Sequence, residues 1–239
     1  MTNAAAAIVP DWRISGMCGR FTLTVSIEEL IDLFGIEQLT FEYHPRYNAA
    51  PGQMIATVIG HQGNKRMGQL RWGLIPSWSK DEKIGYQLIN AKAETLEEKP
   101  SFRESYLRRR CVIPADGFYE WKNTENGKQP MRIMMKHKGA FAMAGLYDAW
   151  MSPDGRKIHS CAIITTSANA LVGEIHDRMP VILRAGDIEL WLNREIREAS
   201  RLNGLLQPYP ENEMFAYPVS PAVGNVKNDS PECIMPFGT

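Results

Sequence analysis

From Met17 onward, hydrophobic and polar positions recur with regular spacing, and the spacing predicts a chain of short strands with helices inserted between them. Ser26-Ile27-Glu28-Glu29 reads as a capping box, with Ser26 capping a helix and Glu29 reaching back. Leu30, Ile31, Leu33 and Phe34 supply its apolar face, and Gly35 ends it. Asn48-Ala49-Ala50-Pro51-Gly52 reads as a loop, and Met54 to Ile59 as a strand. Leu70, Trp72 and Leu74 alternate in a second strand, Met67 to Leu74, before a polar loop, Pro76 to Tyr86, that carries Trp78. Cys111 to Pro114 and Phe118 to Trp121 read as strands around the turn Asp116-Gly117. Asn126-Gly127 predicts a hairpin into Met131 to Met135. Ala140 to Leu146, Ile158 to Thr165 and Met214 to Val219 complete the strands. Ser167 is expected to cap a short helix through Val172, and Asp187 a helical region reaching towards Leu206. Many strands with interspersed helices predict an α+β fold built on a curved, barrel-like sheet flanked by helices.

Composition narrows the class. The 239 residues are 44% hydrophobic and 23% charged, the balance of a globular domain and not of a disordered or collagen-like chain. No run reaches the ~18 apolar residues of a membrane span, so no membrane partner is expected. Lys and Arg number 27, as do Asp and Glu, and overall charge therefore predicts no polyanionic partner. Locally, Lys99 to Lys138 holds ten basic and four acidic residues, with Arg108, Arg109 and Arg110 consecutive. Such a run either attracts phosphate or is a solvated surface balanced in three dimensions. The four cysteines form no CxxC pair and the histidines no HExxH spacing, so neither a metal nor another cofactor is expected. Reduced thiols in a cytoplasmic protein are the natural reading. Residues 1–16 carry no basic region ahead of their short apolar stretch and make a poor secretory signal. They are expected to lie outside a single domain spanning 17–239, as an upstream start, a tag or a propeptide.

Four polar residues stand in apolar or turn contexts: Cys18 before Gly19-Arg20-Phe21, Asn90 after Leu88-Ile89, Glu120 between Tyr119 and Trp121, and His176 before Asp177-Arg178. Each admits a structural reading, as a buried thiol, a turn cap, an outward strand residue and a loop histidine respectively. Glu120 is the most suggestive, because aromatic neighbours can desolvate its carboxyl and raise its pKa to where it both takes and gives a proton.

The ordered set of segments is more specific than any one residue. Met17-Cys18-Gly19-Arg20-Phe21, Arg46 to Pro51, Trp72 to Pro76, Asn90-Ala91-Lys92-Ala93-Glu94-Thr95, Cys111 to Trp121, Ile175 to Pro180 and Val219 to Asn225 together resemble the SRAP family, the SOS response-associated peptidases or abasic-site processing proteins. The resemblance implies binding to single-stranded DNA, including single-strand/duplex junctions, and covalent capture of abasic sites. It implies a reactive cysteine at Cys18, exposed once the preceding residues are removed, with Asn90, Glu120 and His176 as its catalytic companions. DNA contacts are expected from Arg20, Asn48, Pro51, Gly52, Trp78, Lys92 and Arg178, in a protein expected to be monomeric and nucleoid-associated if bacterial. An N-terminal cysteine offers an amine and a thiol at the 1,2-spacing that closes a thiazolidine on an aldehyde; an internal cysteine does not. Autopeptidase and lyase activities are plausible companions of the same residues. The competing readings are a cysteine peptidase or amidohydrolase using Cys18 and His176, and a non-catalytic single-strand-binding module.

Overall fold

The computed structural model describes residues 19–61 and 63–238. Its strands are β1 (Phe21–Leu23), β2 (Gln38–Leu39), β3 (Arg46–Ala49), β4 (Met54–His61), β5 (Asn64–Trp72), β6 (Asn90–Lys92), β7 (Arg110–Ala115), β8 (Gly117–Thr124), β9 (Gly127–Met135), β10 (Phe141–Met151), β11 (Lys157–Ser167), β12 (Arg178–Pro180), β13 (Ile182–Leu183) and β14 (Met214–Pro218). The α-helices are α1 (Ile27–Phe34), α2 (Arg103–Arg108), α3 (Ala170–Gly173), α4 (Ile188–Leu192) and α5 (Ala199–Asn203). The predicted extension, residues 1–16, and Cys18 lie outside the described residues.

Five strands close a ring. β5, β4, β7, β10 and β11 pair antiparallel in that order, and β11 returns to β5 through a short parallel contact at Ser160–Arg71 and Cys161–Trp72. Closure removes free edges from most of the barrel, and its wall is buried on both faces: Val58, Met67, Val112 and Ala144 lie on one, Trp72 and Ile163 on the other, all in the hydrophobic core. A second sheet, in the order β14-β9-β8-β1-β3, leans on it. The two are continuous through one bent stretch: β7 runs in the barrel to Ala115, and β8 leaves in the second sheet from Gly117. The bend at Asp116 is tied by four donors. Its carboxylate accepts from Thr22 Oγ1 (2.5 Å), Thr24 N (2.6 Å), Thr24 Oγ1 (2.5 Å) and Arg132 Nη2 (3.1 Å). A Cβ on Gly117 would lie 2.7 Å from Arg132 Nε, so this corner requires glycine.

The α+β, barrel-like architecture is as expected, with local corrections. Ser26 caps α1, accepting from Glu29 N at 3.1 Å, and Gly35 ends the helix at φ 61°. Glu29 does not complete the box; its carboxylate accepts from Ala140 N instead (3.1 Å) and ties the helix to β10. Asn48 and Ala49 lie in β3 and not in a loop, because β1 pairs with them; the turn begins at Ala50. Asn169, and not Ser167, caps α3, accepting from Val172 N at 2.9 Å, while Ser167 still belongs to β11. Asp187 makes no side-chain cap, and the expected long helix is two short ones, α4 and α5.

Candidate active site

Glu120 sits on β8 opposite Met131 of β9. Strand alternation puts it on the face of Phe118, which enters the main core, while Tyr119 points into a separate cluster with Val219, Val223 and Cys233. Only 2% of Glu120 is exposed, and its Oε1 is buried with no hydrogen-bond partner among the described residues. Burial in this dry surrounding pushes its pKa up from 4.5 to about 8, and the negative field of Asp177 adds to the shift. The flanking aromatics expected to desolvate Glu120 lie on the opposite face; the core side does it. β1 runs antiparallel to β8, with Phe21 across from Phe118 and the Arg20 carbonyl accepting from Tyr119 N at 3.0 Å. Continued by one residue, this register places the buried Gly19 beside Glu120.

The other candidates converge through the barrel strand β11. β6 pairs parallel to β11, with Asn90 opposite Ile163 and Lys92 opposite Thr165. β12 pairs antiparallel on the same strand, with Arg178 opposite Ser167. Asn90 is buried, and Lys92 is exposed on the strand's next turn of the same face. His176 lies just before β12; its Nδ1 is 3.0 Å from Arg178 N and 3.1 Å from Asp177 Oδ1. These contacts hold the ring through one nitrogen and leave Nε2 without a partner among the described residues. Asp177 thus touches His176 and reaches Glu120 through its field, joining the two sheets at one end of the barrel.

The expected DNA-contacting residues divide into distinct environments. Trp78 is 58% exposed on a braced loop. Asp148 accepts from Ser77 N (2.9 Å) and Trp150 Nε1 donates to the Ser79 carbonyl (2.7 Å), fixing both neighbours of Trp78. Gly52 is exposed in the turn after β3 at φ 85°, with Pro51 half-buried before it. Arg178 donates to both oxygens of Glu94, at 2.6 and 2.9 Å, and to the Thr165 carbonyl at 2.7 Å. Arg20 donates to Asn48 Oδ1 (3.0 Å) and to the carbonyls of Val223 (2.7 Å) and Gly224 (3.0 Å), none of them anionic. Asn48 is fully buried, and its amide donates to the carbonyls of Val223, Asn225 and Asn228. Its side chain is therefore spent on the 223–228 loop and presents no donor to a ligand.

The arginine run is structural. Arg108 pairs with Glu104 one helical turn back and Arg109 with Asp148. Arg110 is 1% exposed, donates to the carbonyls of Tyr106, Leu107, Trp191, Asn193 and Ile196, and lies over the Trp191 ring. Burial lowers its pKa to about 10. Of the three consecutive arginines, Arg110 is thus withdrawn from any ligand, while the Arg108 side chain stays half-exposed.

Residues 17–226 match the family described as SOS response associated peptidase (SRAP). The chain belongs to the SRAP family. It is 53% identical over 221 residues to the abasic site processing protein YoqW of Bacillus subtilis (strain 168), covering 91% of this chain and 99% of that one. It is 34% identical over 230 residues to the abasic site processing protein HMCES of Gallus gallus, covering 82% of this chain and 67% of that one. A crystal structure of a protein from Bacteroides thetaiotaomicron shares the fold with a TM-score of 0.81 at 26% identity, covering 92% of this chain and all of that one.

In this SRAP chain the motifs named from sequence contain two acidic residues that went unassigned, Glu94 and Asp177. Asp177 directly follows His176 and Glu94 lies two residues after Lys92; the signal in the sequence is the alternation of charge within Lys92-Ala93-Glu94 and His176-Asp177-Arg178. Pairing across 84 residues, as between Glu94 and Arg178, has no local trace in a sequence.

Proposed function

We propose that this SRAP protein captures abasic sites in single-stranded DNA by forming a thiazolidine between Cys18, freed as the N-terminal residue, and the ring-opened aldehyde of the lesion. The observation that supports it best is Glu120: a carboxyl held near neutrality by burial, with an oxygen free to exchange a proton, in register with Gly19, the residue joined to Cys18.

The α-amine of Cys18, with a pKa near ~7.7–8.0, is partly neutral in the cell and adds to the aldehyde carbon. The carbinolamine so formed loses water to an imine, and the Cys18 thiol adds across that C=N bond to close the five-membered ring. In its protonated form Glu120 gives a proton to the departing hydroxyl; as carboxylate it takes one from the Cys18 ammonium and so frees the amine that attacks. His176 donates through Nε2 to the sugar ring oxygen and favours the open aldehyde. Asn90 orients the sugar or the amine without titrating. Lys92, Arg20 and Arg178 attract the flanking phosphates, and Trp78 offers a stacking surface to a base or a duplex end. The captured lesion is shielded from cleavage, and an imine that escapes ring closure supplies a route to lyase chemistry.

The test compares a chain that starts at Cys18 with one that retains residues 1–17, its mass verified before and after incubation. Both keep the Cys18 thiol, but only the first has an amine beside it. On single-stranded DNA carrying an abasic site, the first chain is expected to give an adduct that survives a denaturing gel and the second none. An unprocessed chain that crosslinks equally fast overturns the thiazolidine and favours a thiolate acting alone, as in a cysteine peptidase.

A further inference from the structure

Two of the cations expected to meet phosphate share one carboxylate. Glu94 holds Arg178 through both its oxygens, at 2.6 and 2.9 Å, and lies in the field of Lys92, two residues before it. Lys92 itself is exposed and has no ion pair among the described residues. The Arg178 side chain is 14% exposed and that of Glu94 51%, so the carboxylate is the outer member of the pair.

We propose that Glu94 is a counter-ion that a DNA phosphate displaces from Arg178, and that it thereby sets how poorly the protein holds intact DNA relative to a lesion. The proposal rests on the DNA-capture reading given above.

Three observations carry it. First, Arg178 keeps its aim without Glu94, because Nη2 also donates to the Thr165 carbonyl at 2.7 Å in the barrel wall. Glu94 is therefore not needed as an orienting group. Second, the half-exposed Glu94 is screened by water, which keeps the worth of the pair modest, and it can swing out into solvent when another anion arrives. A phosphate offers the same charge-assisted bidentate geometry to the guanidinium, so the exchange is close to balanced and reversible. Third, attraction to an unmodified strand is almost wholly electrostatic. A cation already neutralised adds little to that attraction at a distance, whereas covalent capture at an aldehyde does not depend on it. A built-in competitor thus shortens residence on intact strand and leaves the captured lesion in place.

The experiment is a salt titration of binding to an unmodified single-stranded oligonucleotide, using wild type, Glu94→Gln and Glu94→Ala. Glutamine keeps an oxygen that can accept from Arg178 and removes only the charge. Both variants are expected to bind the intact strand about 2–5-fold more tightly at low salt, the scale of one weak ion pair. The slope of log K against log salt should steepen by about 0.7, one additional phosphate contact on a single strand. Adding Arg178→Gln to Glu94→Gln should abolish the gain; a gain that persists transfers the effect to Lys92 and overturns the role of Arg178. Weaker binding, or an unchanged slope, overturns the proposal and leaves Glu94 as a brace between β6 and β12. If wild type and variants alike fail to bind the strand at low salt, the DNA-capture reading falls and this proposal falls with it.

Discussion

Two carboxylates four residues apart, Asp116 and Glu120, are each 2% exposed, yet the fold treats them in opposite ways. Asp116 is surrounded by donors: two threonine hydroxyls, a backbone N–H and the Arg132 guanidinium. Glu120 has a buried oxygen with no partner among the described residues and faces another negative charge. Depth alone therefore does not fix how a buried acid is held. The count of donors does, because a satisfied carboxylate is stable and inert, while an unsatisfied one stores a proton it can give up.

The contrast predicts opposite responses to removal. Asp116→Ala should cost about 3–5 kcal/mol, since it strands the Arg132 charge in the corner between the sheets; chemical denaturation measures it. Glu120→Gln should not lower stability near pH 7 but should slow adduct formation on the order of 10²-fold, read from single-turnover gels at saturating DNA. A variant that loses stability and keeps its rate would erase the distinction.

A pH series sharpens the same comparison. Glu120 is protonated in the fold up to about pH 8, whereas the unfolded chain releases that proton from about pH 4.5. Between these values the folded state binds the additional proton, so stability falls as pH rises, by up to about 1.4 kcal/mol per pH unit. Wild type should lose stability relative to Glu120→Gln across that window, and parallel curves would show that Glu120 is not protonated in the fold. The smallest effect is expected at Thr22→Val, which removes one donor from Asp116. A loss of about 1 kcal/mol, with no change in crosslinking rate, would mark the Asp116 corner as purely architectural.

What the sequence reveals follows how local each cause is. Ser26 and Gly35 mark the ends of α1, and Asn126-Gly127 marks the β8–β9 turn, because each acts on its own few residues. β6 has only three residues, too few for a period to show, and its place is set by pairing with β11. α2 is hidden within a basic run: Arg108 pairs within the helix, with Glu104, while Arg109 and Arg110 are held by other elements. Glu120 could be suspected from its setting, but the reason for its raised pKa could not: the aromatic rings beside it in sequence face away, and the desolvating wall comes from the core side. Asn48 and Ala49 sit among turn-forming residues and read as part of a loop, while Phe21, the strand partner of Ala49 28 positions earlier, decides otherwise.

The clasp between Arg20 and the Val223 carbonyl sets a clock on synthesis. The two ends of that hydrogen bond are 203 residues apart. At the ~5–20 residues per second of a translating ribosome, roughly 10–40 s separate the appearance of one from that of the other. Through this interval the segment leading into β1 lacks the loop that Arg20 and Asn48 grip, and Tyr119 lacks the Val219, Val223 and Cys233 cluster beneath it. A nascent chain therefore emerges with the start of β1 unassembled, and the corner around Arg20, Asn48 and Tyr119 closes only when nearly all of the chain has left the ribosome.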